Sequence, residues 1–150
     1  MYCVTEPHRD AGTHPWFERV LAPILHDLGA TCAASFEIRD ARWEGQSISA
    51  GISFVICHSL GAEKRVSVVA SGKPWHDIAD TADKVQDVAT DALWFEGLSP
   101  VWPECPEHHG SHALLATVVS ERPVWMCPAN REVIAEIGTL ADPSPQVDSA

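Results

Sequence analysis

The chain has 150 residues, the length of one domain, and 45% of them are hydrophobic against 21% charged, a balance that excludes a largely disordered chain. The formal net charge of −11 is uneven: residues 1–75 hold eight acids and seven Lys/Arg, whereas residues 76–150 hold thirteen acids and three Lys/Arg. An acidic half repels phosphate backbones and disfavours nucleic acid as a direct partner, and the lack of a signal peptide or of any run near the ~18 apolar residues of a membrane span predicts a cytoplasmic protein.

Residues 1–12 are polar and irregular. Thr13 or His14 can then cap a helix, with Pro15 in its first turn. Phe17, Val20, Leu21, Ile24, Leu25 and Leu28 recur at spacings of three and four, Gly29 marks the expected stop, and Pro23 predicts a kink. The period then changes to two. Ala34, Phe36 and Ile38 alternate with polar residues as in a half-buried strand, and residues 40–45 read as a loop. Ile48, Ala50, Ile52, Phe54 and Ile56 predict a longer strand, and Val66, Val68 and Ala70 a third. The short connections favour an antiparallel meander.

A second helix is expected over residues 77–96, stopped by Gly97. Ile78, Ala82, Val85, Ala89 and Ala92 share one face, and Asp80, Asp83, Asp87 and Asp91 the opposite one. The acidic face suits a protein partner with a basic surface. Trp94 lies on the acidic side and is expected to pack against the C-terminal segment, the alternative being an exposed anchor for the partner. The expectation is an α+β fold: an α-β-β-β-α two-layer domain over residues 1–97, a zinc-ribbon-like hairpin over 98–141 packed on it, and a disordered tail over 142–150.

Five cysteines, Cys3, Cys32, Cys57, Cys105 and Cys127, form no dense framework, so reduced thiols or metal ligands are expected rather than disulfides. Cys105 and His108 are two residues apart, a spacing that lets both converge on one ion from a tight turn. Each of Cys105 and Cys127 is followed by proline, as in zinc-ribbon knuckles, and residues 113–120 and 124–126 read as two strands joined by a turn at 121–123 that returns Cys127 to the same ion. The expected zinc ligands are Cys105, His108, Cys127 and, as the fourth, His112, with His109 second. Trp102 and Trp125 are expected to pack around the ion. Cys57 and His58 are neighbours on a strand and point to opposite faces, which disfavours a dyad.

The pieces Trp102-Pro-Glu-Cys105-Pro-Glu-His108, His112, Trp125-Met-Cys127-Pro128 and Ile137-Gly-Thr-Leu140 together resemble the C-terminal segment of small actinobacterial proteins. The resemblance covers residues 93–140 and implies the Cys/His site but no activity. No phosphate loop or nucleophile elbow is present. The functional expectation is therefore a non-enzymatic, zinc-stabilised protein-binding module, regulatory or toxin-neutralising. One alternative is a zinc hydrolase using Cys105, His108 and Cys127 with Glu104 or Glu107 as base. Another is an accessory protein of a phage or mobile element.

Overall fold

The computed structural model describes residues 14–45 and 50–141. His14 opens the first helix by accepting the Trp16 N–H at Nδ1 (3.1 Å). Pro23 has no N–H, and its ring crowds the carbonyl four residues earlier. The chain accommodates it with one turn of π-helix, Phe17–Leu21, ahead of α1, Ala22–Thr31. The helix passes the expected stop at Gly29 and ends where Cys32 becomes extended.

Three antiparallel strands follow: β1 (Phe36–Gly45), β2 (Ala50–His58) and β3 (Glu63–Ala70), in the order β1-β2-β3. The expected loop at 40–45 is instead the second half of β1. The pairing slips between Arg39 and Arg42, and Asp40 takes a φ of 54°, so a bulge interrupts the alternation that would have marked a strand. Trp43, expected in a loop, lies on this strand and stacks on His14 at 3.5 Å. Ile52, Phe54, Ile56, Val66 and Val68 are buried, as the pattern requires. The part of the second-strand pattern at 47–49 falls outside the described residues, as do residues 1–13, with Cys3, and the tail at 142–150.

Helix α2 (Pro74–Phe95) buries Ile78, Ala82, Val85, Ala89 and Ala92, while Asp83, Asp87 and Asp91 face water. It ends in a Schellman motif: the Leu98 N–H reaches the Leu93 carbonyl (2.9 Å), the Gly97 N–H reaches that of Trp94 (3.0 Å), and Gly97 has a φ of 77°. Trp94 is 73% exposed, so the expected packing of its ring against the C-terminal segment does not occur.

The C-terminal third forms a second antiparallel sheet, β4 (Leu115–Val119), β5 (Arg122–Met126) and β6 (Val133–Glu136), rather than a lone hairpin. Its turn is Ser120-Glu121, both at positive φ (52° and 62°), which places Arg122 and Pro123 inside β5 instead of in the expected turn at 121–123. Two successive left-handed residues match the twist of a two-residue hairpin without any glycine to signal it. The architecture is thus α+β, with α2 touching β3 of one sheet and β4 and β5 of the other.

Each helix carries one buried acid that accepts an indole N–H. Asp77 takes those of Trp16 (3.2 Å) and the Ser71 backbone (3.0 Å). Asp27, 0% exposed, takes those of Trp125 (2.9 Å), Gly138 (2.7 Å) and Leu140 (2.9 Å). One continuous core therefore runs from the helices through Trp102, Leu114, Trp125 and Ile137.

Candidate metal centre

Two loops meet beside β5. In the first, the His108 N–H bonds to the Cys105 carbonyl (3.2 Å), which closes a turn and sets both side chains on one side. The chain then reverses. Glu104 pairs with Ala113 across an isolated antiparallel bridge, the Ser111 N–H reaches the His108 carbonyl (3.0 Å), and His112 comes back over the turn. Gly110, with a φ of 77°, donates its N–H to the Glu104 carboxylate (2.7 Å) and fixes that reversal. In the second loop the Arg131 N–H bonds to the Cys127 carbonyl (2.8 Å), and the Cys127 N–H bonds to that of Glu132 (2.9 Å).

The side chains of Cys105, His108, His112 and Cys127 converge, with all four ligand atoms within 4.8 Å of one another. Both sulfurs are on residues with 0% exposure, while the two imidazoles are half-buried and form the outer side. His108 Nδ1 lies 3.4 Å from Cys105 Sγ and 3.6 Å from Cys127 Sγ, and His112 Nε2 lies 3.5 Å from Cys127 Sγ. A tetrahedral ion bonded at about 2.3 Å to sulfur and about 2.05 Å to nitrogen requires S···N edges of about 3.5 Å. Three of the S···N edges match that value, and the cluster can hold a metal ion.

His109, the second choice for the fourth ligand, points away; its side chain is 75% exposed and its ring lies 3.5 Å from Glu104. His58 is engaged by Glu96, and neither it nor Cys57 is in the cluster. Cys32 also stands apart, and burial pushes its thiol pKa up. Glu104 and Glu107, the bases a hydrolase would use, are occupied in bracing the loops. Glu104 holds Gly110, and Glu107 accepts the Asn130 amide (3.1 Å).

Sequence reasoning sees in Asn130 only a broken ligand position and no structural role. It stands where a second Cys-x-x-Cys would end and is a poor zinc ligand. Here it ties the two loops instead: Nδ2 reaches Glu107, and Oδ1 accepts the Glu132 N–H (2.9 Å). Trp102 and Trp125 do pack beside the cluster, edge to face at 5.4 Å, but they belong to the main core. Trp102 donates to Thr31 (2.9 Å) and Trp125 to Asp27. From α2, Gln86 gives its amide to the carbonyls of Trp102 (3.1 Å) and Leu114 (2.7 Å), on either side of the first loop.

No protein-family model, curated protein or solved structure matches this chain. No helix of the described residues is long and apolar enough to cross a membrane.

Proposed function

We propose that the protein is a non-enzymatic binding module, braced by a structural zinc, whose acidic helix docks a partner with a basic surface. The observation that carries this reading is the row Asp83, Asp87, Asp91 and Trp94 along the outer face of α2, with an indole 73% exposed at its end. A large aromatic left in water beside like charges is what a binding anchor requires. Neighbouring charges in the row already disturb one another. The Asp83 carboxyl titrates above its ordinary range, chiefly through partial loss of hydration and then through Asp87 and Asp80. A basic partner would relieve that repulsion, and the steering would weaken with salt.

Zinc is the ion proposed, because two thiolates and two imidazoles are soft and borderline donors in a tetrahedron. The set also favours a structural role. A catalytic zinc keeps one position for water, and four protein donors leave none. The hydrolase alternative is the weaker reading for that reason. The likeness of the Cys/His segment to small actinobacterial proteins, and a cytoplasmic location with reduced thiols, belong to the same proposal.

The test is a partner screen with three baits: wild type, Trp94→Ala, and Asp83→Asn/Asp87→Asn/Asp91→Asn. A partner with a basic surface, retained by wild type at low salt and lost by both variants and at high salt, is the expected outcome. A partner held equally by all three baits would overturn the acidic-helix reading.

A further inference from the structure

Between the C-terminal half of α2 and the β2–β3 hairpin lies a groove of about 240 Å³. Helix α2 supplies Val88, Asp91, Ala92 and Phe95, at spacings of three and four, and the hairpin supplies Ile56 and Lys64. The wall is mostly apolar. His58, on the same wall, is 3% exposed and committed to Glu96, so the groove recognises its occupant through apolar contact.

The apolar surface continues into solvent. Phe95 is 65% exposed, and Leu60, in the turn that joins β2 to β3, is 61% exposed. Apolar surface rimmed by polar groups marks an interaction site. The volume exceeds the roughly 150 Å³ cavity that accommodates benzene in an apolar protein interior, so one aromatic or branched side chain fits.

Charge decides what carries that side chain. Asp91 borders the groove, and Asp87 lies one turn before it on the exposed face of α2. Asp91 meets Lys64 at 3.9 Å with both side chains more than half exposed, a pair too weak to withdraw the acid from a partner. Glu63, also on the rim, is already held by Arg39. A second copy of the chain brings a formal net charge of −11 and is repelled by these acids. A basic segment is drawn to them.

We propose that the groove receives a short basic segment of the partner, in which one bulky apolar side chain seats on Val88, Ala92 and Phe95 while flanking lysines or arginines reach Asp87 and Asp91. This rests on the acidic-helix reading above and extends it: the acids steer the partner, and the groove selects the residue that lies between its positive charges.

The probe is a capped peptide with one phenylalanine flanked on each side by lysines. It has two counterparts, with alanine in place of the phenylalanine or glutamine in place of the lysines. Each is titrated at low salt into the ¹⁵N-labelled full chain. The phenylalanine peptide is expected to shift the amides of Ala62, Lys64 and residues 88–95, and to bind about tenfold more tightly than the alanine peptide. Phe95→Ala, at an exposed position, should bring those two affinities together. Asp87→Asn/Asp91→Asn should weaken both, and the glutamine peptide should bind least. Equal wild-type affinities for the phenylalanine and alanine peptides, both weakened by Asp87→Asn/Asp91→Asn, would overturn the groove and leave the acidic helix standing as a docking face. A phenylalanine preference that survives Phe95→Ala would overturn the groove as well. So would shifts at the same residues when the chain alone is concentrated, which would seat a second copy there. Glutamine and lysine peptides binding equally would overturn groove and acidic helix together. No binding by either lysine peptide would overturn the groove, with the acidic helix judged separately by the bait screen.

Discussion

The carboxylate of Asp27 accepts the indole N–H of Trp125 at 2.9 Å across 98 positions of sequence. The same side chain takes the backbone N–H groups of Gly138 and Leu140, so three donors of the C-terminal segment end on one acid of α1. Removing the acid strands all three in a dry interior. Asp27→Ala is expected to cost about 3 kcal/mol or more in urea unfolding, since each buried unsatisfied donor costs about 1–3 kcal/mol. Asp27→Asn keeps one acceptor oxygen and should cost less. Equal stability of wild type and Asp27→Ala would show that these contacts contribute nothing net.

The metal centre makes a stoichiometric prediction. Elemental analysis should find one zinc per chain, lost in Cys105→Ser/Cys127→Ser. Chelation should lower stability by about 4 kcal/mol relative to protein with the ion at a thousandfold excess over its Kd. X-ray absorption should find two sulfur and two nitrogen neighbours. A water oxygen in place of one nitrogen would reopen the hydrolase reading. Metal-free wild-type protein with readily alkylated Cys105 and Cys127 would remove zinc altogether.

Gly138 is the position where the second sheet closes on the first helix. Its φ is 109°, and a Cβ there would lie 2.9 Å from Pro23 Cβ. The ring of proline cannot swing aside, so backbone must move, and the N–H that reaches Asp27 moves with it. Gly138→Ala should destabilise by about 2 kcal/mol. Gly51, with nothing within 4 Å of an added Cβ, is the control and should tolerate alanine far better.

Two aspartates give opposite pH dependences. The Asp40 pKa is held below its ordinary 3.8 by hydrogen bonds from Arg42 and Arg65. Its contribution is present above the unfolded value and is lost as pH falls through the lower folded value. The Asp83 pKa is raised above 3.8, so its penalty is present above the folded value and is relieved as pH falls from there to the unfolded value. At neutral pH Asp83→Asn should raise stability, within the ~0.5 kcal/mol typical of surface changes, and the gain should vanish in acid. A gain that is independent of pH would exclude charge as its cause.

The two helices and the centre of the first sheet were legible because their apolar residues repeat cleanly. Ile78, Ala82, Val85 and Ala89 all turn inward as the spacing requires. The second half of β1 was hidden by the bulge at Asp40, which breaks a period of two. β6 has four residues, Val133–Glu136, too few to show any period. Cys105, His108 and Cys127 could be picked out from spacing and the prolines after the two cysteines, whereas the choice between His112 and His109 was open in the sequence, and the loop-tying role of Asn130 depends on a contact 23 positions away. Asp27 did leave a signal. It sits three residues after Ile24 on the stripe that faces the core, and it is buried while Leu25, counted in that stripe, is only half-buried. An acid occupying an apolar position on a helix face is evidence of a distant donor.

The Asp27 contact also orders events during synthesis. The ribosome makes α1 first and the residues that satisfy its buried acid 98 or more positions later. At 5–20 residues per second the wait is on the order of five to twenty seconds. Throughout it, the nascent helix must keep a charged side chain hydrated on the face destined for the interior. Closing that face early would bury a charge without partners, at a cost that only the late donors remove. Completion of the core is thereby tied to the arrival of Trp125, Gly138 and Leu140.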